Sequence, residues 1–253
     1  MEKRIIDIIS KVKSGMNQAY VDTLNFTDDP AAKFGAEYLF TVNVAKEIGR
    51  LNGPDADPYQ IYIEASVKKV ARDCLPLIKR GNPMVRGSSI IRKGVPFMER
   101  EGRVDIAVYT DVMPYKGNGN TPFCIIELKS FDPAKELIIK DLKRNLDFIT
   151  LSGPTGKSSV EMCLFSAVHS VLPTNDSVLL NEQMSKIKTN YSNCLSKVGT
   201  LDGIKTDIQV FTLSKDVEGR ILDDIEGYYV DTDSKHHFMG VIVIFTHKAI
   251  QTI

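Results

Sequence analysis

The chain is short of the features that would place it in a special class. No apolar run approaches the roughly 18 residues a membrane span needs, so a transmembrane protein is not expected. The four cysteines, Cys74, Cys124, Cys163 and Cys194, are widely spaced and form no CxxC pair. That argues against a zinc site or a disulfide scaffold and fits a reducing, cytoplasmic setting. The start, Met1-Glu2-Lys3-Arg4 followed by Ile5, Ile6, Ile8 and Ile9, is too short and interrupted for a signal peptide and reads as an amphipathic helix. There is no internal repeat or low-complexity tract, and no excess of charge: 32 Lys and Arg stand against 32 Asp and Glu. With 253 residues, 43% of them hydrophobic, the composition is that of an ordinary globular chain, at the upper end of what one core serves.

The balanced charge is unevenly distributed. Between Ser66 and Val104 there are ten basic residues (among them Lys68, Lys69, Arg72, Arg86, Arg92, Lys93 and Arg103) against three acids. Between Asp216 and Asp233 there are seven acids and one arginine. A basic stretch of this kind is the electrostatic footprint of a phosphate-backbone partner, or else a solvated surface.

Periodicity gives a mixed α/β order. Helices are expected over residues 1–25, from Asp28-Asp29-Pro30 to Gly49 with an inward stripe of Phe34, Tyr38, Val42, Ala45 and Ile48, and from Val67 to Ile78. Ile61-Tyr62-Ile63 reads as a short strand or the start of the next helix. Strands follow at 104–109, 123–129 and 160–168, with a helix from Asp132-Pro133 that turns Leu137, Ile138, Leu142, Leu146 and Ile149 inward. A helix from Val178 to Leu195 and strands at 208–213 and 240–245 close the sheet.

The strand Phe123–Lys129 is apolar on both faces yet ends in a carboxylate and an ammonium. Alternation places Glu127 and Lys129 on one face with Phe123 and Ile125, opposite Cys124, Ile126 and Leu128. Burying such a pair costs free energy unless something satisfies it. Asp105, on the preceding strand, supplies a second carboxylate, and two converging carboxylates invite a hard divalent cation, Mg²⁺ or Mn²⁺. Lys129 would hold or activate the attacking water and stabilise the charge that develops on phosphate.

Arg103-Val104-Asp105, a loop, and Ile125-Ile126-Glu127-Leu128-Lys129 resemble the PD-(D/E)xK phosphodiesterase superfamily, with 22 residues separating Asp105 from Glu127. Val104 stands where the family has proline. The resemblance covers about residues 33–170. It implies a restriction-endonuclease-like mixed sheet flanked by helices, in one nuclease domain over 1–253 whose residues 171–253 complete the sheet. It implies Asp105 and Glu127 as metal ligands with the Leu128 carbonyl, Lys129 at the water, and Glu37 as the further acid on a preceding helix, turned toward the metal and reaching it directly or through water. Lys140, Lys143 and Arg144, on the helix after the motif, join the basic stretch as DNA contacts. The implied activity is Mg²⁺-dependent cleavage of DNA, in restriction, genome defence or repair, with a homodimer required if both strands are cut at one site. The alternatives are a catalytically silent binding module of the same fold and an RNA-cleaving member. No membrane partner is expected.

Three other signals carry less. Gly153-Pro154-Thr155-Gly156-Lys157-Ser158 has two residues between its glycines where a phosphate-binding loop has four. His236, His237 and His247 read as structural or surface groups, and Glu64 as an edge-strand acid rather than a ligand. The tripeptides Asp141-Leu142-Lys143 and Asp233-Ser234-Lys235 also fit (D/E)-x-K, but they fall on a helix and in a polar turn.

Overall fold

A computed structural model describes residues 2–29, 32–33, 37–53, 58–76, 78–80, 89–91, 96–99, 101–110, 121–214, 221–230 and 237–248. Its helices are α1 (Glu2–Thr27), α2 (Glu37–Gly49), α3 (Val67–Cys74), α4 (Lys135–Thr150) and α5 (Ser177–Leu195). Six strands make the main sheet: β1 (Tyr59–Ser66), β4 (Arg103–Thr110), β5 (Thr121–Phe131), β8 (Met162–Ser170), β9 (Ile204–Thr212) and β12 (Phe238–His247). Three small hairpins lie outside it, β2 (Ile78–Arg80) with β3 (Ser89–Ile91), β6 (Ser152–Gly153) with β7 (Gly156–Lys157), and β10 (Ile221–Asp224) with β11 (Gly227–Val230).

The strand order is β1-β4-β5-β8-β12-β9, and only the β5–β8 pair is parallel. That pair is joined through α4, because parallel neighbours need a crossover connection. Helices cover both faces. On one side Ile8, Val12 and Met16 of α1 and Phe40, Val44 and Ile48 of α2 pack on Ile106, Cys124, Ile126, Leu128 and Leu164. On the other, α3, α4 and α5 pack on Ala107, Ile125, Cys163, Phe165 and Val243. Covered on both faces, β5 is buried from Thr121 to Leu128, which is why its sequence is an unbroken apolar run before Glu127. Among the described residues no helix is long and apolar enough to cross a membrane.

Several boundaries differ from the periodicity reading. Among the described residues, Asp29, Ala32 and Lys33 are not helical. Instead α1 runs on to Thr27, and Asp28, at φ 52°, turns the chain while its N–H reaches Leu24 O. The next helix begins at Glu37, and Phe40, Val44, Ala45 and Ile48 face inward, so Ala45 and Ile48 hold the places expected of them. Tyr38 is 64% exposed, and Phe34 lies outside the described residues. Ile61–Ile63 belong to a strand, and α3 ends at Cys74, with Ile78 in β2. Leu137 is exposed; Asp141 and Arg144 take inward places on α4. Phe123 packs with Cys124 on the α1/α2 face, against the alternation, because the β4–β5 register slips there: Val108 pairs with Cys124 but Tyr109 with Pro122. Phe123 is the extra residue of a β-bulge.

The position of α2, and therefore of Glu37, depends on a close helix crossing. A Cβ added to Gly15 would lie 2.5 Å from Val44 Cα and 2.9 Å from Asn43 O, backbone atoms that cannot rotate away. Gly15→Val is therefore expected to destabilise the fold by about 1–3 kcal/mol as overpacking, even though Gly is the poorer helix former. Urea unfolding checks this, and a neutral or stabilising effect would contradict the α1–α2 contact.

Candidate active site

The β4–β5 ladder ends at Ile106 and Ile126. One residue further, the Asp105 carboxylate takes the place of a ladder acceptor and receives the Leu128 N–H at 2.6 Å. This holds Asp105 against the Glu127–Leu128 peptide at the end of the central strand. Glu127 is 0% exposed and turns toward α4, where its Oε2 forms a tight ion pair with Arg144 Nη2. Its Oε1 is buried and has no hydrogen bond among the described residues. Lys129 Nζ donates to Glu37 Oε1 at 2.8 Å and to Leu128 O at 3.0 Å, and lies 3.5 Å from Asp141 Oδ2. Asp141 Oδ1 in turn lies 3.4 Å from Arg144 Nη2.

Charges therefore alternate from Glu37 through Lys129, Asp141 and Arg144 to Glu127, with Asp105 beside the chain. Four carboxylates meet two cations, a formal excess of two negative charges when all are ionised. Burial opposes that excess. It pushes the Asp105 carboxyl up to about 6, against the lowering effect of the Leu128 N–H and of Lys129. It pushes Glu127 well above the usual carboxylate range despite Arg144, and the neighbouring Asp105 and Asp141 add to the rise. Burial alone would lower Lys129, but its hydrogen bond to Glu37 and the nearby Asp141 outweigh it, and its affinity for a proton is raised.

The shift of Asp105 has a consequence for stability. Between its ordinary pKa near 4 and about 6 the folded protein binds more protons than the unfolded chain, so stability falls as pH rises through that window. Above about pH 6 the cost of the ionised group is constant. Asp105→Asn is expected to raise Tm at pH 7.5, with a smaller gain at pH 4.5. An equal gain at both values, by calorimetry without metal, would contradict this assignment.

The residues singled out for chemistry thus come together: Asp105, Glu127, Leu128, Lys129 and Glu37 share one site. Of the described basic residues expected to contact DNA, Arg144 joins this cluster and the others lie at the surface. Lys68, Lys69, Arg72 and Arg103 are exposed around β1, α3 and the start of β4. Lys68 pairs with Glu101 at 2.7 Å, Arg72 with Asp73 at 3.4 Å, and Lys69 lies over the Tyr62 ring. Arg86, Arg92 and Lys93 fall outside the described residues. On α4, Lys140 and Lys143 are exposed, with Lys143 paired to Glu99 at 2.5 Å. Arg144 corrects the expectation of a DNA contact: it is 4% exposed and its guanidinium is taken up by Glu127 and Asp141.

Asp141 joins this cluster although its (D/E)-x-K tripeptide lies on a helix. Its signal was the other spacing, an acid and a base three apart on the helix beside Ile138 and Leu142, where surface charges do not belong. The Gly153–Ser158 segment forms the β6–β7 turn, closed by the Ser158 N–H on Leu151 O at 2.7 Å, and does not open into a phosphate cradle. His237 is buried, His247 bonds to Val160 O, and His236 lies outside the described residues. Glu64 is exposed on the edge strand β1, with φ 54°.

Among the described residues no group of three or more His, Cys, Asp or Glu is gathered tightly enough to hold a metal. The donor set is nonetheless of the hard-oxygen kind: two buried carboxylates, the carbonyl of Leu128 next to Glu127 in sequence, and an orphaned Oε1 on Glu127. That orphaned, fully buried oxygen is what a cation would satisfy, and the formal excess of two negative charges is what a divalent one would neutralise. No protein-family model, curated protein or solved structure matches the chain.

Proposed function

We propose that this chain is a Mg²⁺-dependent nuclease of the PD-(D/E)xK, restriction-endonuclease-like kind that hydrolyses phosphodiester bonds, with DNA as substrate. The observation that carries the reading is Glu127, wholly buried at the end of the central strand, with one oxygen unbonded among the described residues and Asp105 and Lys129 beside it. A carboxylate is not kept in such a place for stability, since an apolar residue there would cost less.

Asp105, Glu127 and the Leu128 carbonyl would hold the cation, which when bound supplies Lewis-acid stabilisation of phosphate charge. Lys129, held charged by Glu37 and Asp141, would orient the attacking water and face the developing negative charge. Its raised proton affinity favours that role over proton abstraction. Glu37 is the only partly exposed acid of the set and would receive the water's proton directly or through solvent. Exposed Lys140 and Lys143, with the basic stretch from Lys68 to Arg103, would meet the backbone phosphates. Cutting both strands would call for two copies of the chain.

The second reading is a catalytically silent nucleic-acid- or protein-binding module. One observation favours it: Arg144 occupies Glu127 as a permanent cation would. The test is incubation of the purified protein with duplex DNA, single-stranded DNA and RNA in Mg²⁺, Mn²⁺ or EDTA. Metal-dependent cleavage of DNA is expected. Cleavage confined to RNA would reassign the substrate, and no cleavage of any substrate with either metal would favour the silent module.

A further inference from the structure

The Arg144 guanidinium stands where a metal ligand's partner would have to stand. It holds Glu127 Oε2 and lies 3.4 Å from Asp141 Oδ1, at a site closed to solvent. Arginine does not give up its proton in proteins, so it cannot yield to a metal by neutralising itself. For Glu127 to present its carboxylate to a divalent cation, the guanidinium has to move.

The structure offers it a place to go. On the outer side of α4 an opening of about 250 Å³ is lined by Glu99, Lys140, Lys143, Arg144 and Asp147. Arg144 therefore borders both the buried cluster and this opening. Within the opening Lys143 pairs with Glu99 and also acts electrostatically on Asp147, which sits three residues beyond Arg144 on the same helix, a spacing at which an acid and a base pair across the helix surface. Asp147 is half-buried, and burial raises its carboxyl above the ordinary range. A carboxylate in that state gains from the arrival of a cation.

We propose that Arg144 is an internal counter-ion with two stations, paired to Glu127 while the site holds no metal and swung outward to Asp147 when a divalent cation occupies Glu127 and Asp105. The inference rests on the nuclease reading and adds a control to it. Arg144 competes with the metal for Glu127, and Asp147 favours the metal by receiving Arg144. The resting protein thereby avoids an uncompensated buried carboxylate, and the active state requires enough metal to displace an ion pair. The same contact that makes the site look closed is then a latch.

The two residues should have opposite effects on metal affinity, and the effects should be coupled: with Arg144→Met in place, Asp147→Asn should add nothing, whereas charge acting through space would weaken binding in either background. Binding of Mn²⁺ alone, with no nucleic acid, is measured by titration calorimetry on the full chain and on Arg144→Met, Asp147→Asn, the two combined, and Glu127→Gln. Arg144→Met is expected to bind Mn²⁺ about tenfold more tightly than the parent, roughly 1.4 kcal/mol. Asp147→Asn should bind several-fold more weakly, and Glu127→Gln should lose binding. Arg144→Met leaves Glu127 buried without its partner, and if it does not fold without metal the decision passes to Asp147→Asn, whose site is half-exposed. Affinity in Asp147→Asn equal to or tighter than the parent's overturns the proposal, as does an Arg144→Met protein that binds no more tightly, or one that Asp147→Asn weakens further. If Glu127→Gln loses binding while Arg144→Met and Asp147→Asn match the parent, the two-station proposal fails and the nuclease reading stands. If Glu127→Gln binds as the parent does, or if none of the proteins binds, the metal site at Glu127 is wrong and both fail.

Discussion

Glu127→Gln and Lys129→Ala are each expected to reduce metal-dependent cleavage by about 10²–10⁴-fold, the range seen when a charge-stabilising or proton-handling group is removed from an active site. The two losses differ in cause. Glutamine keeps the shape of Glu127 and accepts the Arg144 guanidinium through its amide oxygen, so the fold is retained while the ligand charge is lost. Alanine at 129 removes the ammonium that ties Glu37 to Leu128 O and faces Asp141, so the end of β5 loses both its charge and its link to α2. Binding of a nucleic-acid fragment, measured by anisotropy in Ca²⁺, should change far less than the cleavage rate in both variants. A rate loss matched by an equal loss of affinity would move these residues from chemistry to binding.

Asp141→Ala is expected to produce the largest loss of stability, about 3–5 kcal/mol, the usual cost of removing one partner from a buried charge pair. Asp141 is wholly buried between Lys129 and Arg144, and without it the two cations face each other in a low-dielectric seam. At roughly 2–4 °C per kcal/mol for a chain of this size, Tm should fall by about 6–20 °C. Asp141→Asn, which keeps a polar partner of the same shape for Lys129 and Arg144, should cost less than Asp141→Ala. A Tm change within a degree or two would mean that the seam is hydrated and that its charges are not coupled as the geometry indicates.

The gathering of charged side chains at the end of β5 was more legible in the sequence than the packing around it. Asp105, Glu127 and Lys129 could be found because a buried strand leaves almost no other explanation for charge at its end, and strand periodicity alone brings Glu127 and Lys129 onto one face. Glu37 was found through the family resemblance, although the helix that carries it starts several residues later than its caps implied: the acids at 28 and 29 follow the end of α1 instead of opening α2. Phe123 was assigned to the wrong face because a bulge shifts the phase of a strand without leaving a mark in its composition. Arg144 reads as a phosphate contact, and Asp141 as part of an uninformative helical tripeptide, because a helix interface is expected to be apolar, and only a charge on the facing strand, Glu127, makes an inward arginine reasonable. Such pairings join elements far apart in sequence and no local rule reports them.

The proposed function depends on Glu127 as a metal ligand in a hydrolytic site. The most direct test is to incubate supercoiled plasmid with the parent protein and with Glu127→Gln side by side, in Mg²⁺ and again in EDTA. Nicked or linear product from the parent in Mg²⁺ alone, absent from Glu127→Gln, is the predicted result. Equal cleavage by both proteins, or cleavage that persists in EDTA, would contradict it.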